Sequence, residues 1–468
     1  MALPDRDLQA AIAATRFGLG ARPGEIAAAR SDPQGFLAEQ ISTSASDRPQ
    51  TFALPERRLE AIRAFGAARK DALEASRARA NEAEELRLIT NERRRKLQDD
   101  VTNDVLVRTA NAANTPQAFA ERWALFWSNH FTVGQGNTIS AATIGPYEDL
   151  ALRPYVFGAF RDLLLSAETH PAMLIYLNQD RSVGPNSLFA QRRAKAPNGR
   201  LPGLNENLAR EILELHTVGV NGGYSQADVT EFARALTGIS FERLTASESA
   251  GQPRFRPAAH EPGEREVMGV RYAQSGENQA VAILSDLASK PQTARFVSWR
   301  IARHFVADDP PEALVRRLER TWMDTDGALD QVARALVGAP EAWDPTPRKF
   351  KTPYEFMVSS WRAAGAAPRD IKQLALLTAM GQKPFSAPSP EGWPEEEAAW
   401  ATPDGMIKRL VWTEAFAPRA VGDRDPSLLA LEALGARLSG STATAIRRAE
   451  SRGEAFALLL MSPEFQRR

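Results

Sequence analysis

Cysteine is absent from this 468-residue chain, which excludes disulfides, thiolate metal sites and a cysteine nucleophile and leaves His, Asp and Glu as metal ligands. There is no surplus of charge: Lys+Arg and Asp+Glu both count 58, so no bulk field draws the chain to nucleic acid or an anionic membrane surface. No stretch approaches the roughly 20 continuous apolar residues that span a bilayer. The opening Met1-Ala2-Leu3-Pro4-Asp5-Arg6-Asp7-Leu8 mixes both signs of charge without an apolar core, so no secretory signal is read and a cytoplasmic location is the default expectation. Histidine is scarce, at five residues.

What is present is ordinary globular material, 43% apolar and 25% charged, with Leu and Ala outweighing Val and Ile. That balance predicts an all-α chain with little sheet: a large multi-helix array, two packed helical lobes with long irregular loops, in one domain over 1–468. Residues 56–113 carry almost no Gly or Pro and predict long charged helices with i,i+4 ion pairs on a solvated face. Residues 7–41 predict two short helices around the turn Gly18–Gly24, a plain turn and not a phosphate loop because no strand precedes it and the lysine is missing. Residues 182–204 read equally as a lid or an inert loop, and 240–278 and 381–404 are also irregular. Helices are expected at about 279–306, 311–338, 352–364 and 368–380, with two more after 404.

The chemistry-bearing positions cluster around the histidines. In Arg122-Trp123-Ala124-Leu125-Phe126-Trp127-Ser128-Asn129-His130, helical spacing places Trp123, Phe126, Trp127 and His130 on one stripe with Arg122 and Asn129 alongside. His130 is then either a packed core histidine or a general base held rigid by aromatics. In Asn205-Glu206-Asn207-Leu208-Ala209-Arg210-Glu211-Ile212-Leu213-Glu214-Leu215-His216, α-helical geometry puts Asn207, Arg210, Glu211 and Glu214 on one stripe and His216 on the packed side. Two carboxylates a turn apart with a guanidinium between them suit either an ion-pair network or acid/base chemistry. His260 lies in an irregular stretch beside Glu261 and leans towards function, whereas His170 before Pro171 and His304 at a helix end read as structural.

The segments Arg16-Phe17-Gly18-Leu19-Gly20, Asn129-His130-Phe131, His170-Pro171-Ala172-Met173, Asn205 to Gly238, Arg303-His304-Phe305-Val306-Ala307-Asp308, Lys351-Thr352-Pro353-Tyr354-Glu355-Phe356 and Gly392-Trp393-Pro394 resemble the bacterial domain-of-unknown-function-1800 family over essentially the whole chain. The resemblance departs at Lys290-Pro291, where such chains often show His-Pro, and at Glu395-Glu396-Glu397, where they carry glycines. It implies an all-helical fold. It also implies a partner, because such chains are often encoded beside exported sulfatase-like proteins, in which case this chain is periplasmic by co-export.

Two functions are therefore expected. The first is a hydrolase acting on a glycan or related polymer, with His130, Glu211, Glu214 and His260 as catalytic groups and Arg122, Asn129, Asn207 and Arg210 binding substrate. A divalent metal held by carboxylate and histidine is compatible with this set. The second is a non-catalytic binding or assembly partner of an exported sulfatase-like protein, docking through the 56–113 helices. A weaker third is haem bound by a histidine among aromatics.

Overall fold

The computed structural model describes residues 3–42, 55–78, 82–195, 203–244 and 250–468. The chain is 66% helical, with 24 α-helices and two small antiparallel sheets among the described residues. Two large hydrophobic cores underlie it, with two minor clusters among the described residues. The larger gathers Phe17, Trp123, Trp127, Phe160, Phe305 and Trp322 with many aliphatics from the first 343 residues. The smaller is built by Phe356, Trp361, Leu377, Phe416, Phe456 and neighbours from the C-terminal third. Helix Ala83–Asn114 spans between lobes: Val105, Ala112 and Ala113 enter the smaller core. Its earlier Leu97 and Val101 pack on helix Pro55–Ala78 through Ile62 and Phe65.

The two charged helices form a hairpin, tied by Thr90 Oγ1 to Ala68 O at 3.0 Å and Arg87 Nη2 to Ser76 Oγ at 3.0 Å. Its exposed pairs, Lys70–Glu74 and Arg87–Glu84 at 3.9 and 3.6 Å, add little in open solvent. The buried Arg58–Asp104 pair, at 2.8 and 2.9 Å, joins the two helices of the hairpin, and Arg58 also donates to Ala142 O at 3.0 Å, which ties the hairpin to the neighbouring helix Thr138–Tyr147.

Several expected elements are subdivided. The helix anticipated at 279–306 is two, Glu277–Ser289 and Pro291–Phe305, since Pro291 forces Lys290 into an extended conformation. That at 311–338 breaks into Glu312–Asp324 and Leu329–Gly338 at Asp326-Gly327, both with positive φ. After 404 there are five helices instead of two, with proline or a serine cap at each restart. The N-terminal region holds three short helices, and the amides of Gly18 and Gly20 bond back to Ala13 and Ala14, which closes the turn against a phosphate. The irregular stretch 240–278 contains both hairpins, Ile239–Phe241 with Pro253–Phe255 and Arg265–Val267 with Val270–Tyr272. The second turns on Met268-Gly269 at φ 49° and 76°, the left-handed pair that a two-residue hairpin needs. Within 182–204 the chain forms helix Leu188–Ala194, while 196–202 lie outside the described residues.

Three helices end in a π-helical turn, Ala13–Phe17, Glu148–Leu152 and Ile212–His216. Such turns insert a residue into the helical register and so redirect the side chains that follow. Arg16, Glu148 and His216, all buried, stand on them. No helix among the described residues is long and apolar enough to cross a membrane.

Candidate functional site

Between the two cores lies a cleft of about 940 Å³, counting its open mouth. Helix Ala118–His130 forms one wall and presents Arg122, Ser128 and Asn129. The π turn supplies Glu148, helix Pro353–Ala363 supplies Tyr354 and Glu355, and the end of helix Pro291–Phe305 supplies His304. The segment expected to be irregular, 381–404, closes the cleft with Gln382, Phe385, Trp393 and Glu395. Phe385 holds a positive φ of 58°, which costs an aromatic residue strain and places its ring under the Arg108 guanidinium at 5.5 Å.

The charged groups of the cleft are individually satisfied. Glu148 accepts from Arg108 Nε at 2.9 Å, Arg153 Nη2 at 2.7 Å and Ser128 Oγ at 2.7 Å. Burial opposes its charge, yet these guanidiniums and the hydroxyl bring its carboxyl down to about 2. Glu355 sits between two guanidiniums, those of Arg122 and Arg468, the latter at 3.0 Å. Its other oxygen accepts from Thr352 N at 2.9 Å, and despite burial its carboxyl stays far below the usual carboxylate range. Desolvation and the like charge of Arg468 lower Arg122 to about 9 against the pull of Glu355.

His304 differs from these. Its Nδ1 lies 2.6 Å from Glu395 Oε1, and its buried Nε2 has no hydrogen-bond partner among the described residues. Burial lowers the imidazole to about 4 against the attraction of Glu395, while Glu395, opposed by burial and held down chiefly by His304, falls to about 2. At neutral pH the carboxylate is therefore ionised and the ring neutral. Nδ1 must then carry the proton, and Nε2, buried beside the cleft that His304 lines, keeps an unshared lone pair. Gln382 offers a complementary group: its Oε1 accepts from Tyr354 N at 2.7 Å, and its amide nitrogen has no hydrogen-bond partner among the described residues.

The expected site residues are dispersed. Arg122 and Asn129 line this cleft, but both are engaged. Arg122 also donates to Gly18 O at 2.7 Å, and Asn129 pairs with both backbone groups of Trp393, at 3.0 and 2.7 Å. That pairing needs Gly392, φ 89°, where a Cβ would sit 2.5 Å from Asn129 O. His130 lies behind the wall, 2% exposed, stacked on Phe126 and edge-on to Trp127, with Nε2 3.1 Å from His216 O. Burial holds it neutral. His216 is fully buried beside Glu168, Nδ1 2.7 Å from Oε1 without hydrogen-bond alignment.

The stripe expected over Asn207, Arg210, Glu211 and Glu214 is not a guanidinium between two carboxylates. Arg210 pairs one helical turn back with Glu206 at 3.3 Å and with Gln226 Oε1 at 2.9 Å, and the π turn that begins after Glu211 shifts the register of Glu214. Asn207 is exposed; Glu211 and Glu214 are half-buried, with Tyr224 OH 3.5 Å from Glu214. Burial raises the Glu211 carboxyl, with Glu214 adding to it. Neither glutamate lines the inter-lobe cleft. His260 is tied by Nδ1 to Thr237 O at 2.7 Å, edge-on to Phe255, and Glu261 beside it accepts from Asn186. Among the described residues no three His, Asp or Glu groups are placed to hold a metal ion.

Sequence reasoning missed His304, Glu395, Glu148 and Glu355. His304 reads as a helix-end cation from its neighbours, but its ring bonds a carboxylate 91 residues away. The signal for Glu395 was the departure itself: Glu395, Glu396 and Glu397 pair with His304, Arg303 and Arg467 respectively. They anchor the closing segment, with Lys349 Nζ reaching both Asp308, at 2.5 Å, and Glu395 O, at 2.6 Å.

Fold and cleft together define a two-lobed, all-α protein with a histidine–carboxylate pair at the lobe junction. The chain belongs to the family described as "Protein of unknown function (DUF1800)", whose model matches residues 12–467. No curated protein and no solved structure matches the chain.

Proposed function

We propose that this chain is a hydrolase working in the inter-lobe cleft, with His304 as general base, on an ester-type bond borne by a glycan or related polymer. The observation that carries the reading is the lone Nε2 of a neutral imidazole whose Nδ1 proton is held by an ionised carboxylate. Such a pair takes a proton from water as the water oxygen attacks an acyl carbon, and Glu395 stabilises the imidazolium that forms. The Gln382 amide nitrogen is the donor available to the developing oxyanion. The imidazolium then returns the proton to the departing alkoxide as the carbon–oxygen bond breaks. Glu148, Glu355 and Glu395 are all held ionised, so none supplies the protonated carboxylic acid that cleavage of a glycosidic bond by paired carboxylates requires. That favours the acyl linkage.

The test is turnover of acetylated xylan, feruloylated arabinan and p-nitrophenyl acetate by the full chain and by His304→Gln. The reading expects release of acid by the wild type and a loss of about 10²–10⁴-fold in the variant. Equal rates in both, or no turnover of any of the three, would end it.

A specific feature favours the second reading, an assembly partner of a sulfatase-like protein. Ile407, Leu410 and Val411 form an i, i+3, i+4 stripe on helix Pro403–Val421 and are 61, 44 and 60% exposed. This stripe is an apolar face a partner would cover, and the 56–113 hairpin also exposes Leu73 and Leu88, at 51 and 62%. Co-elution with such a protein, lost in Val411→Asp, is the measurement.

A further inference from the structure

A second concavity lies on the smaller lobe, where helix Pro403–Val421 meets helix Pro353–Ala363 and the segment 365–376. It measures about 1650 Å³, counting open solvent, and shares no lining residue with the inter-lobe cleft. Trp412, Phe416 and Arg419 fall on one stripe of the helix by i, i+4, i+7 spacing. Trp412 stacks on Phe416 at 4.4 Å and 11°, and Trp361 stands edge-on to Phe416 at 4.8 Å.

Two independent features single this groove out. First, its lining includes three cations, Arg369, Lys372 and Arg419, and no carboxylate. All three are exposed, and none makes a side-chain hydrogen bond or ion pair among the described residues. In a chain where most partly buried guanidiniums are paired, three unpaired cations around one concavity form a local positive field. Second, its wall is aromatic: Trp361, Trp412 and Phe416 all line it and their rings are in mutual contact.

We infer that this groove binds an acidic saccharide, a sugar ring carrying a carboxylate or sulfate. The apolar C–H face of the ring packs on the aromatic cluster, and the anionic substituent meets Arg369, Lys372 and Arg419. A nucleic acid would satisfy the same cations, but the chain balances 58 basic against 58 acidic residues and offers no wider field to hold a backbone of phosphates.

The groove also has a neighbour. A third concavity of about 1310 Å³, counting open solvent, is lined by Lys372 and Lys383 and no carboxylate, and shares Lys372 and Ala375 with the groove and Pro384 with the inter-lobe cleft. The aromatic groove is thereby placed near the inter-lobe cleft. Only the meaning of this placement rests on the hydrolytic reading; the binding site rests on its own residues and is read without turnover.

The experiment is titration of the full-length protein, followed by tryptophan fluorescence and calorimetry, with trigalacturonate and a chondroitin sulfate hexasaccharide. Galactotriose and a six-nucleotide single-stranded DNA serve as competing probes. The expected result is saturable binding of at least one acidic oligosaccharide that weakens as salt is raised, with galactotriose bound at least about tenfold more weakly. Arg419→Ala and Lys372→Ala, both surface changes that leave the fold intact, are expected to weaken it about tenfold each, and Trp412→Ala to abolish it. Should Trp412→Ala fail to fold, the two cation variants still decide. The inference is overturned if neither acidic oligosaccharide binds, if galactotriose binds equally well, if the DNA binds more tightly, or if both cation variants bind as the wild type does.

Discussion

The inter-lobe cleft and the mid-chain helix Asn207–Glu211 with its π continuation are built from the same residue types, yet they hold them differently. In the cleft, Arg122 and Glu355 have side chains 2 and 11% exposed and a second guanidinium in attendance. On the helix, Arg210 and Glu206 are 39 and 31% exposed and share their charge with Gln226 and water. Burial makes the first set interdependent, because removing one charge strands another in a poorly polarisable interior. Solvent makes the second set nearly independent. His304 acquires its distinct character within the interdependent set, as a cleft histidine whose second nitrogen has no partner among the described residues.

The sharpest break between the two regions is in activity. His304→Gln should fold cooperatively and lose about 10²–10⁴-fold in ester hydrolysis, whereas Glu214→Gln on the helix should retain turnover within about threefold, as measured by steady-state rates on acetylated xylan. The reverse pattern would move the site to the helix. In stability, Glu355→Ala leaves Arg122 and Arg468 buried against each other and should cost about 3–5 kcal/mol in urea unfolding at pH 7. Glu206→Ala should cost under about 1 kcal/mol, so equal losses would erase the distinction.

Acid titration gives a third contrast. Glu148 falls from 4.5 to about 2 on folding, so its contribution is complete above 4.5 and drains away as pH drops towards 2. The stability gap between wild type and Glu148→Gln should therefore shrink by roughly 3 kcal/mol from pH 6 to pH 2. A gap independent of pH would contradict the pairing with Arg108 and Arg153. Glu211 has the opposite sign: burial raises its carboxyl, so ionising it costs the folded state. Glu211→Gln should raise stability slightly at pH 7, with the gain vanishing below pH 4 in thermal melts.

Helix content and the two-lobed plan were legible because apolar periodicity over long Ala- and Leu-rich runs survives tertiary packing. The aromatic face of Trp123, Phe126, Trp127 and His130 was read correctly as a stripe, and it is core. The helix from Asn205 was read with one period throughout, and the π turn at Ile212–His216 breaks that period by an extra residue that no propensity rule announces. The His304–Glu395 pair was illegible for a different reason. Its members are brought together only when the segment 382–397 folds back onto helix Pro291–Phe305, a long-range event fixed by Asn129, Gly392 and Lys349. A cluster of three glutamates in an irregular stretch reads as solvated charge until the basic side chains opposite are seen.

The most direct test of the account is nitrogen NMR of the chain labelled in its five histidine rings, with His304 assigned by substitution. The account predicts that between pH 5 and 8 the His304 signals show a protonated Nδ1 and a bare Nε2, titrating with a midpoint near 4. A His304 ring that is doubly protonated at neutral pH, or that carries its proton on Nε2, would contradict the central claim that the lobe junction holds a base ready to accept a proton.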